Sequence, residues 1–124
     1  MNIEELKRYL HDYVYSKSPG IYLIIDRISK TRLGVSLIDA LFCMPDKLYE
    51  LISSIYNDPI TTNFIFKNLF LKPIILKLEV NIPVEDLYQA AKEGREKLLD
   101  LLERGGIKLS EQAVGCEERA ASYS

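Results

Sequence analysis

Four of the five prolines in this chain stand where a helix would begin. Pro19, Pro45, Pro59 and Pro83 each come just before apolar residues that repeat at three- and four-residue spacing. Proline is favoured in the first turn of a helix, because its missing N–H would have no intrahelical partner there. The pattern therefore predicts an all-α protein, a compact helical bundle of five or six short helices.

Length and composition are those of a single globular domain. The chain has 124 residues, of which 48% are hydrophobic and 27% are charged, which is enough apolar material for a genuine core. We expect one helical domain over 1–110 and a disordered or frayed tail over 111–124, where helical spacing is lost. The net charge of −2 argues against a protein that coats nucleic acid.

Membrane and disulfide signals are weak. The most apolar stretch, 64–78, contains three lysines and a proline, so it is too charged to span a membrane. The chain starts with an acidic, amphipathic segment rather than a secretory signal, which predicts a cytoplasmic protein. Two cysteines do not make a disulfide framework, and we expect Cys43 to be a small buried hydrophobe and Cys116 to be exposed.

The first third of the chain predicts two helices. Asn2 is a suitable N-cap for an amphipathic helix of about three turns. A second helix is expected from Pro19 to about Leu33, with Gly34 as its left-handed stop. The β-branched run 21–25 leaves a strand as an alternative, but no partner strand is evident elsewhere in the sequence.

The helix after Pro59 is apolar around nearly its whole circumference, which is typical of the buried helix of a bundle. We therefore place it at the centre of the fold, after short helices that start at Ser36 and Pro45. Pro73 is expected to kink it or end it near Leu71, and 74–80 is either one further turn or an extended connection. The predicted core includes Phe64, Leu69, Leu48, Leu51, Ile25, Ile28, Leu87 and Leu98.

The last predicted helix runs from Pro83 to the glycine pair at 105–106 and has a broad apolar stripe. Such a stripe is wider than one contact needs, so we expect a homodimer through this helix. The alternative is that the whole stripe packs inside one chain. The possible interface residues are Ala91, Gly94, Arg95, Leu98, Leu101 and Leu102.

Residue types that could perform chemistry are scattered. His11 is the single histidine, with no second ligand at metal spacing, and is interpreted as a surface residue rather than a ligand or base. Cys43 has no basic partner nearby and is interpreted as a core residue rather than a nucleophile. Asp26, Asp39 and Asp46 could converge, although caps and solvated faces explain the last two. We predict no catalytic, cofactor-binding or metal-binding residues.

Five basic residues leave alternatives open. Lys67 and Arg95 each interrupt an apolar surface, and either extend along it to reach water or form a buried or interfacial ion pair. Arg27, Lys30 and Arg32 could contact phosphates if the short helices contain a helix-turn-helix. Nearby acids dilute this basic patch, and no helix offers a dense polar face for reading bases.

One segment, between Ile24 and Leu78, resembles a small archaeal helical family, the Nitrosopumilus-type output domain. The resemblance rests on Arg32-Leu33-Gly34-Val35-Ser36-Leu37, Asp39-Ala40-Leu41 and Pro45-Asp46-Lys47-Leu48-Tyr49, followed by Leu51, Ile55, Tyr56 and a lysine-bearing apolar helix. It covers a little under half of the chain, and Phe42-Cys43-Met44 stands where more acidic residues would be expected. The resemblance implies a compact helical domain, found alone or attached to signalling modules, with no established activity and no catalytic residues.

These observations favour a non-enzymatic interaction or signalling-output module that self-associates. A helix-turn-helix-like DNA-binding regulator is the alternative, and an enzyme ranks third. We expect the partner to be a second copy or another protein, with no membrane, cofactor or small-molecule ligand. The abundance of Lys, Glu, Ile and Tyr, with few glutamines and one histidine, is typical of thermophiles.

Overall fold

The computed structural model describes residues 2–108, so the predicted tail over 111–124 and Cys116 lie outside the described residues. This part of the chain is helical and contains α1 (Ile3–Lys17), α2 (Pro19–Arg32), α3 (Leu37–Cys43), α4 (Pro45–Tyr56), α5 (Pro59–Phe64), a π-helical segment (Ile65–Leu71), α6 (Lys72–Leu78), α7 (Val84–Glu93) and α8 (Arg95–Arg104). The three segments over 59–78 follow one another without a break, and we call them together the rod. Counted this way, the described residues form seven helices. The all-α prediction is confirmed, and the number of helices is larger than the predicted five or six.

Side-chain caps begin three of these helices. The Glu5 N–H donates to Oδ1 of Asn2 (2.9 Å) at the start of α1, and the Asp39 N–H donates to Oγ of Ser36 (3.2 Å) at the start of α3. At the start of α5, the Ile60 N–H donates to Oδ1 of Asp58 (3.2 Å). Each cap satisfies a donor that the helix itself leaves unpaired.

The prolines mark helix starts, as the sequence predicts. Pro19, Pro45 and Pro59 are the first residues of α2, α4 and α5. Pro83 differs, because it is the N-cap of α7 and the helix begins one residue later, at Val84. Residues 21–25 belong to α2, so the strand alternative for this run is wrong.

The single last helix that the sequence predicts is two helices in the structure, because Gly94 interrupts the helical backbone. This residue has φ 129° and ψ −178°, a conformation that is open essentially to glycine alone. An added Cβ at Gly94 would have nothing within 4 Å, so the glycine is required by the backbone angle and not by lack of space. The break means that α7 and α8 do not share one continuous apolar stripe.

The helix that is buried on nearly all sides is α3, and not the first turns of the rod. Every residue of α3 except Asp39 is buried, and the helix packs against α1, α2, α4 and α8. In the rod, Ile60 is 80% exposed and Phe64 is 61% exposed. Placing Phe64 in the core was therefore wrong.

The rest of the predicted core agrees well with the structure. Ile28 is only half-buried, although it packs against the core. Six other predicted core residues are buried: Ile25, Leu48, Leu51, Leu69, Leu87 and Leu98.

The rod does not end near Leu71: it continues past Pro73 as a helix to Leu78, so the prediction of a further turn after Pro73 is confirmed and the extended connection is wrong for 74–78. The ring of a proline normally collides with the carbonyl four residues earlier, here that of Leu69. Leu69 lies in the π-helical segment, where the turn is wider because each N–H bonds five residues back, as the Lys72 N–H does to the carbonyl of Lys67. The wider turn makes room for Pro73. The helix then ends at Glu79, which has the left-handed φ of 53°.

Candidate interaction surface

One side of the rod carries a straight line of exposed residues. Ile60, Phe64, Asn68, Lys72 and Leu76 follow one another at four-residue intervals, and we call them the outer row. Leu76, near the far end, is 61% exposed. Lys72 is exposed and Asn68 is half-exposed, so the whole row faces away from the core.

The mixed winding of the rod keeps the outer row straight. In an α-helix a step of four residues overshoots one turn by about 40°, so such a row slowly winds around the helix. In a π-helix one turn holds more than four residues, so the same step falls short of a turn. The two drifts have opposite signs along the rod, and residues at both ends of the row remain on one side.

The opposite side of the rod is anchored in the core. Ile65, Phe66, Leu69 and Phe70 of the π-helical segment are buried, and this segment packs against α1 and α7. The ring of Phe66 makes edge-to-face contacts with Phe70 (6.0 Å between centroids) and with two tyrosines of neighbouring helices. Aromatic pairs in this geometry stabilise beyond their buried area, so the side of the rod opposite the outer row is firmly packed into the core.

A polar cluster locks the rod to α4 and α7. The hydroxyls of Tyr49 and Tyr88 both donate to Oδ1 of Asn63, at 2.8 Å and 2.7 Å, which uses both lone pairs of that oxygen. The contact with the Tyr88 hydroxyl, followed by burial, raises the pKa of Tyr49. Lys92 lies over both tyrosine rings, 5.3 Å and 5.0 Å from their centroids. The cluster therefore joins three elements through one amide.

Lys67 forms an ion pair within the chain, but the pair lies at the surface and is not the buried pair that one alternative predicted, because Glu85 is 61% exposed. Its Nζ lies 2.6 Å from Oε1 of Glu85 on α7 and 4.4 Å from the centroid of the Tyr88 ring. The pair links the rod to α7 beside the polar cluster. It neutralises one of the three lysines of the rod, which contains no acidic residue.

A second group of exposed apolar side chains lies on α1 and α2 and is less organised. Leu23 and Ile24 are about half-exposed, but neighbouring helical residues point about 100° apart and cannot form one row. Tyr15 stacks on His11, which in turn meets the edge of Tyr22. His11 is exposed and lies 3.1 Å from Asp12, as expected for a surface histidine.

The interface predicted on the last helix is largely inside the chain. Ala91, Leu98 and Leu102 are buried among the chain's own residues, and Leu101 is half-buried against the same core. Gly94 is the break between α7 and α8. These residues therefore do not form an exposed face that a second copy could contact. The homodimer itself stays a prediction.

Arg95 lines a shallow cleft between the start of α4 and the break at Gly94. Its neighbours there carry both signs of charge, so the cleft has no strong preference for an ion of either sign. Cys43 lies at the cleft wall and is buried, and its sulfur is not available as a nucleophilic thiol. The cleft, of about 660 Å³, is lined by Cys43, Met44, Asp46, Lys47, Glu93, Gly94, Arg95, Glu96 and Lys97.

The three aspartates singled out by sequence act in different places. Oδ1 of Asp26 accepts the buried N–H of Leu37 (2.9 Å) and its Oδ2 lies 3.0 Å from Nζ of Lys30, so Asp26 ties the start of α3 to α2. Asp39 lies 3.2 Å from Nζ of Lys7, and Asp46 lines the cleft. Among residues 2–108, no group of three or more acidic, His or Cys residues is arranged to hold a metal ion.

The basic residues considered for DNA contact are largely engaged. Lys30 pairs with Asp26, and Nη1 of Arg32 donates to Oγ of Ser54 (3.3 Å). Arg27 is exposed. The helix that follows, α3, is buried on nearly all sides and cannot enter a DNA groove.

None of the described helices is both long enough and apolar enough to cross a membrane. Comparison with protein-family models, curated proteins and solved structures yields no match for this chain. The resemblance to the Nitrosopumilus-type output domain stays a prediction.

Sequence reasoning missed the outer row because it treated all apolar residues of the rod as core. The four-residue spacing of Ile60, Phe64 and Leu76 was a signal that could have found it. That signal is hidden in a helix that is apolar all round, and the π-helical winding that straightens the row is not evident from the spacing alone.

Proposed function

We propose that this chain is a non-enzymatic protein-interaction module whose contact surface is the outer row of the rod. The observation that carries the proposal is the exposure of Ile60 and Phe64, at 80% and 61%. Large apolar side chains gain roughly 25 cal/mol for each Å² that a partner removes from water. Two such side chains on successive turns of a helix whose opposite side is packed in the core are suited to docking against an apolar partner surface.

The DNA-binding alternative has less support. Lys30 and Arg32 are engaged within the chain, and α3, the helix that follows them, is buried and cannot serve as a recognition helix. Direct readout of bases needs a helix that can enter the major groove.

The wider role that we propose is a signalling output. It rests on the resemblance to output domains between Ile24 and Leu78, which also suggests an archaeal source and, with the composition, a thermophilic one. The proposed location is the cytoplasm. The partner is a protein surface with apolar groups, either another protein or a second copy of this chain.

The test is a capture experiment with the purified chain immobilised and a native lysate passed over it. We expect specific proteins, or the chain itself, to be retained by the wild type and lost with Ile60→Ser and Phe64→Ser. Leu23→Ser is the matched control, because Leu23 is a similarly exposed apolar residue of α2. Equal capture by all variants would contradict the proposed surface. Saturable, sequence-dependent DNA binding that survives moderate salt would favour the regulator instead.

A further inference from the structure

We propose that the partner of the outer row is a second copy of this chain, and that two rods pair antiparallel about a twofold axis at Asn68. This inference rests on the proposed function, since it names the partner of the same surface. It goes further by assigning which residues meet.

The outer row is self-complementary about Asn68. A twofold interface must be self-complementary. If residue i of one copy contacts residue j of the other, then residue j of the first copy also contacts residue i of the second. Ile60 and Leu76 lie eight residues on either side of Asn68, and Phe64 and Lys72 lie four residues on either side. An antiparallel pair therefore places Ile60 against Leu76 and Phe64 against Lys72, each twice.

Each of these pairings is favourable. Ile60 and Leu76 are both large, aliphatic and mostly exposed in the single chain, so their contact removes apolar surface from water. A lysine ammonium over a phenylalanine ring is a cation–π contact, and two other lysines of the rod already lie over tyrosine rings within the chain. Nδ2 of Asn68 donates one hydrogen bond to the carbonyl of Phe64 (3.2 Å). At the axis, the second N–H and the Oδ1 of each Asn68 can still exchange hydrogen bonds with the other copy.

The charges of the rod allow this pairing. Lys67 is paired with Glu85, and Nζ of Lys77 lies 4.9 Å from the centroid of the Tyr9 ring. Lys72 is the one charged side chain in the row. At the α-helical rise of 1.5 Å per residue the two Lys72 residues of a dimer would lie about 12 Å apart along the axis. The wider π-helical turn shortens this separation toward the screening length of about 8 Å at physiological salt, so their repulsion is partly screened.

Charge also favours a second copy over an anionic membrane surface. Binding to an anionic bilayer is driven by clusters of basic residues beside apolar ones. The outer row offers a single lysine, and the polar position at its centre is the neutral Asn68. A self-complementary protein surface accounts for this arrangement better.

The interface is small, so the dimer should be reversible. The rod has about 20 residues and is at most about 30 Å long, and one helix face on each side falls at or below the size of standard stable interfaces. We expect a monomer–dimer equilibrium that moves with concentration in the micromolar range.

The first measurement is the mass by light scattering and sedimentation over a concentration series. The wild type should shift from 14.2 kDa toward twice that value, with dimerisation weakened at least tenfold by Phe64→Ser and left unchanged by Leu23→Ser. Both altered residues are exposed, so circular dichroism should report unchanged folding. A wild-type monomer at all concentrations would overturn the inference. If capture of another protein still depended on Phe64, the proposed function would stand while the second-copy partner would not.

The second measurement tests the antiparallel geometry by disulfide trapping under a mild oxidant, with the wild type as background. Asn68→Cys should give a linked dimer, because the two positions meet at the axis. Ile60→Cys and Leu76→Cys should not link to themselves, since each lies about 24 Å from its own copy along the axis, but a mixture of the two should link. Linking of Ile60→Cys to itself would indicate a parallel pair and overturn the geometry. Cosedimentation with phosphatidylserine vesicles that is lost with Phe64→Ser would instead assign the row to a lipid surface.

Discussion

At the scale of single residues, Phe64 and Phe66 have opposite surroundings although only one residue separates them. Side chains two residues apart in a helix point about 200° apart. Phe66 therefore enters the aromatic core while Phe64 faces solvent. Composition alone does not distinguish the two side chains. The surrounding helices decide which one is buried.

This contrast predicts opposite costs of truncation. Phe66→Ala should lower the free energy of unfolding by about 3–5 kcal/mol, the usual cost of removing a buried aromatic ring. Phe64→Ala should cost less than about 1 kcal/mol, because surface substitutions have small effects. Urea denaturation of both variants is the measurement, and a larger loss for Phe64→Ala than for Phe66→Ala would contradict the orientation of the rod.

Asp26 provides a second prediction, because it accepts the N–H of the buried Leu37. Asp26→Ala would leave that donor without its acceptor, and we expect a loss of about 1–3 kcal/mol in the free energy of unfolding. Asp26→Asn retains a side-chain oxygen and should lose less. Chemical denaturation of the pair checks this, and equal losses would show that the pairing with Lys30 matters more than the cap.

Tyr22 predicts a dependence on alkaline pH. Burial, with a smaller effect from the charge of Asp26, raises the pKa of Tyr22 to about 12 from the usual 10.0. Because the folded state holds this proton more tightly, the contribution to stability is complete below pH 10 and is lost as the pH rises from 10 toward 12. Ultraviolet titration should show a late ionisation that Tyr22→Phe removes and Tyr15→Phe does not.

At the scale of elements, two departures from regular α-helix determine what the surface looks like. The π-helical segment lets the rod pass Pro73 and keeps the outer row on one side. The break at Gly94 turns α8 away from the line of α7, so that Leu98 and Leu102 enter the chain's own core. The first departure lies just before Pro73 and the second lies at Gly94, and proline and glycine are the residue types that fit the interior of a regular helix least.

The break at Gly94 can be tested by comparing two glycines. Gly94→Ala should cost about 1–3 kcal/mol, because alanine is strained at a φ of 129°. Gly20→Ala should instead stabilise by about 0.4–1 kcal/mol, since Gly20 is an exposed residue inside α2 with nothing near its Cβ position. Thermal or urea unfolding measures both, and a neutral Gly94→Ala would indicate that α7 and α8 can join into one helix.

At the scale of the whole molecule, the apolar stripe of α8 serves the core of one chain, and the rod offers the exposed surface. We therefore expect Leu101→Glu to leave the dimerisation constant within about twofold of the wild type. Any stability cost from its half-buried position is separated from association by circular dichroism. If light scattering showed that the folded Leu101→Glu variant no longer dimerises, the dimer interface would lie on α8 instead of the rod.

Local structure follows directly from neighbouring residues in this chain. Proline and capping side chains act within one turn, so Asn2, Ser36 and Pro59 already specify where their helices begin. Six of eight predicted core residues are buried, because helical spacing alone indicates the apolar side of an amphipathic helix.

Which apolar side chains remain in water depends instead on how the helices pack against one another. Where a helix is apolar all round, spacing indicates no preferred side, and the number of neighbouring helices determines how much of it is covered. α3 is surrounded by other helices and is buried, whereas α5 begins the rod at the surface and leaves Ile60 and Phe64 exposed. The four-residue spacing marks the outer row as one side of the rod, but packing between distant segments decides that this side is the exposed one.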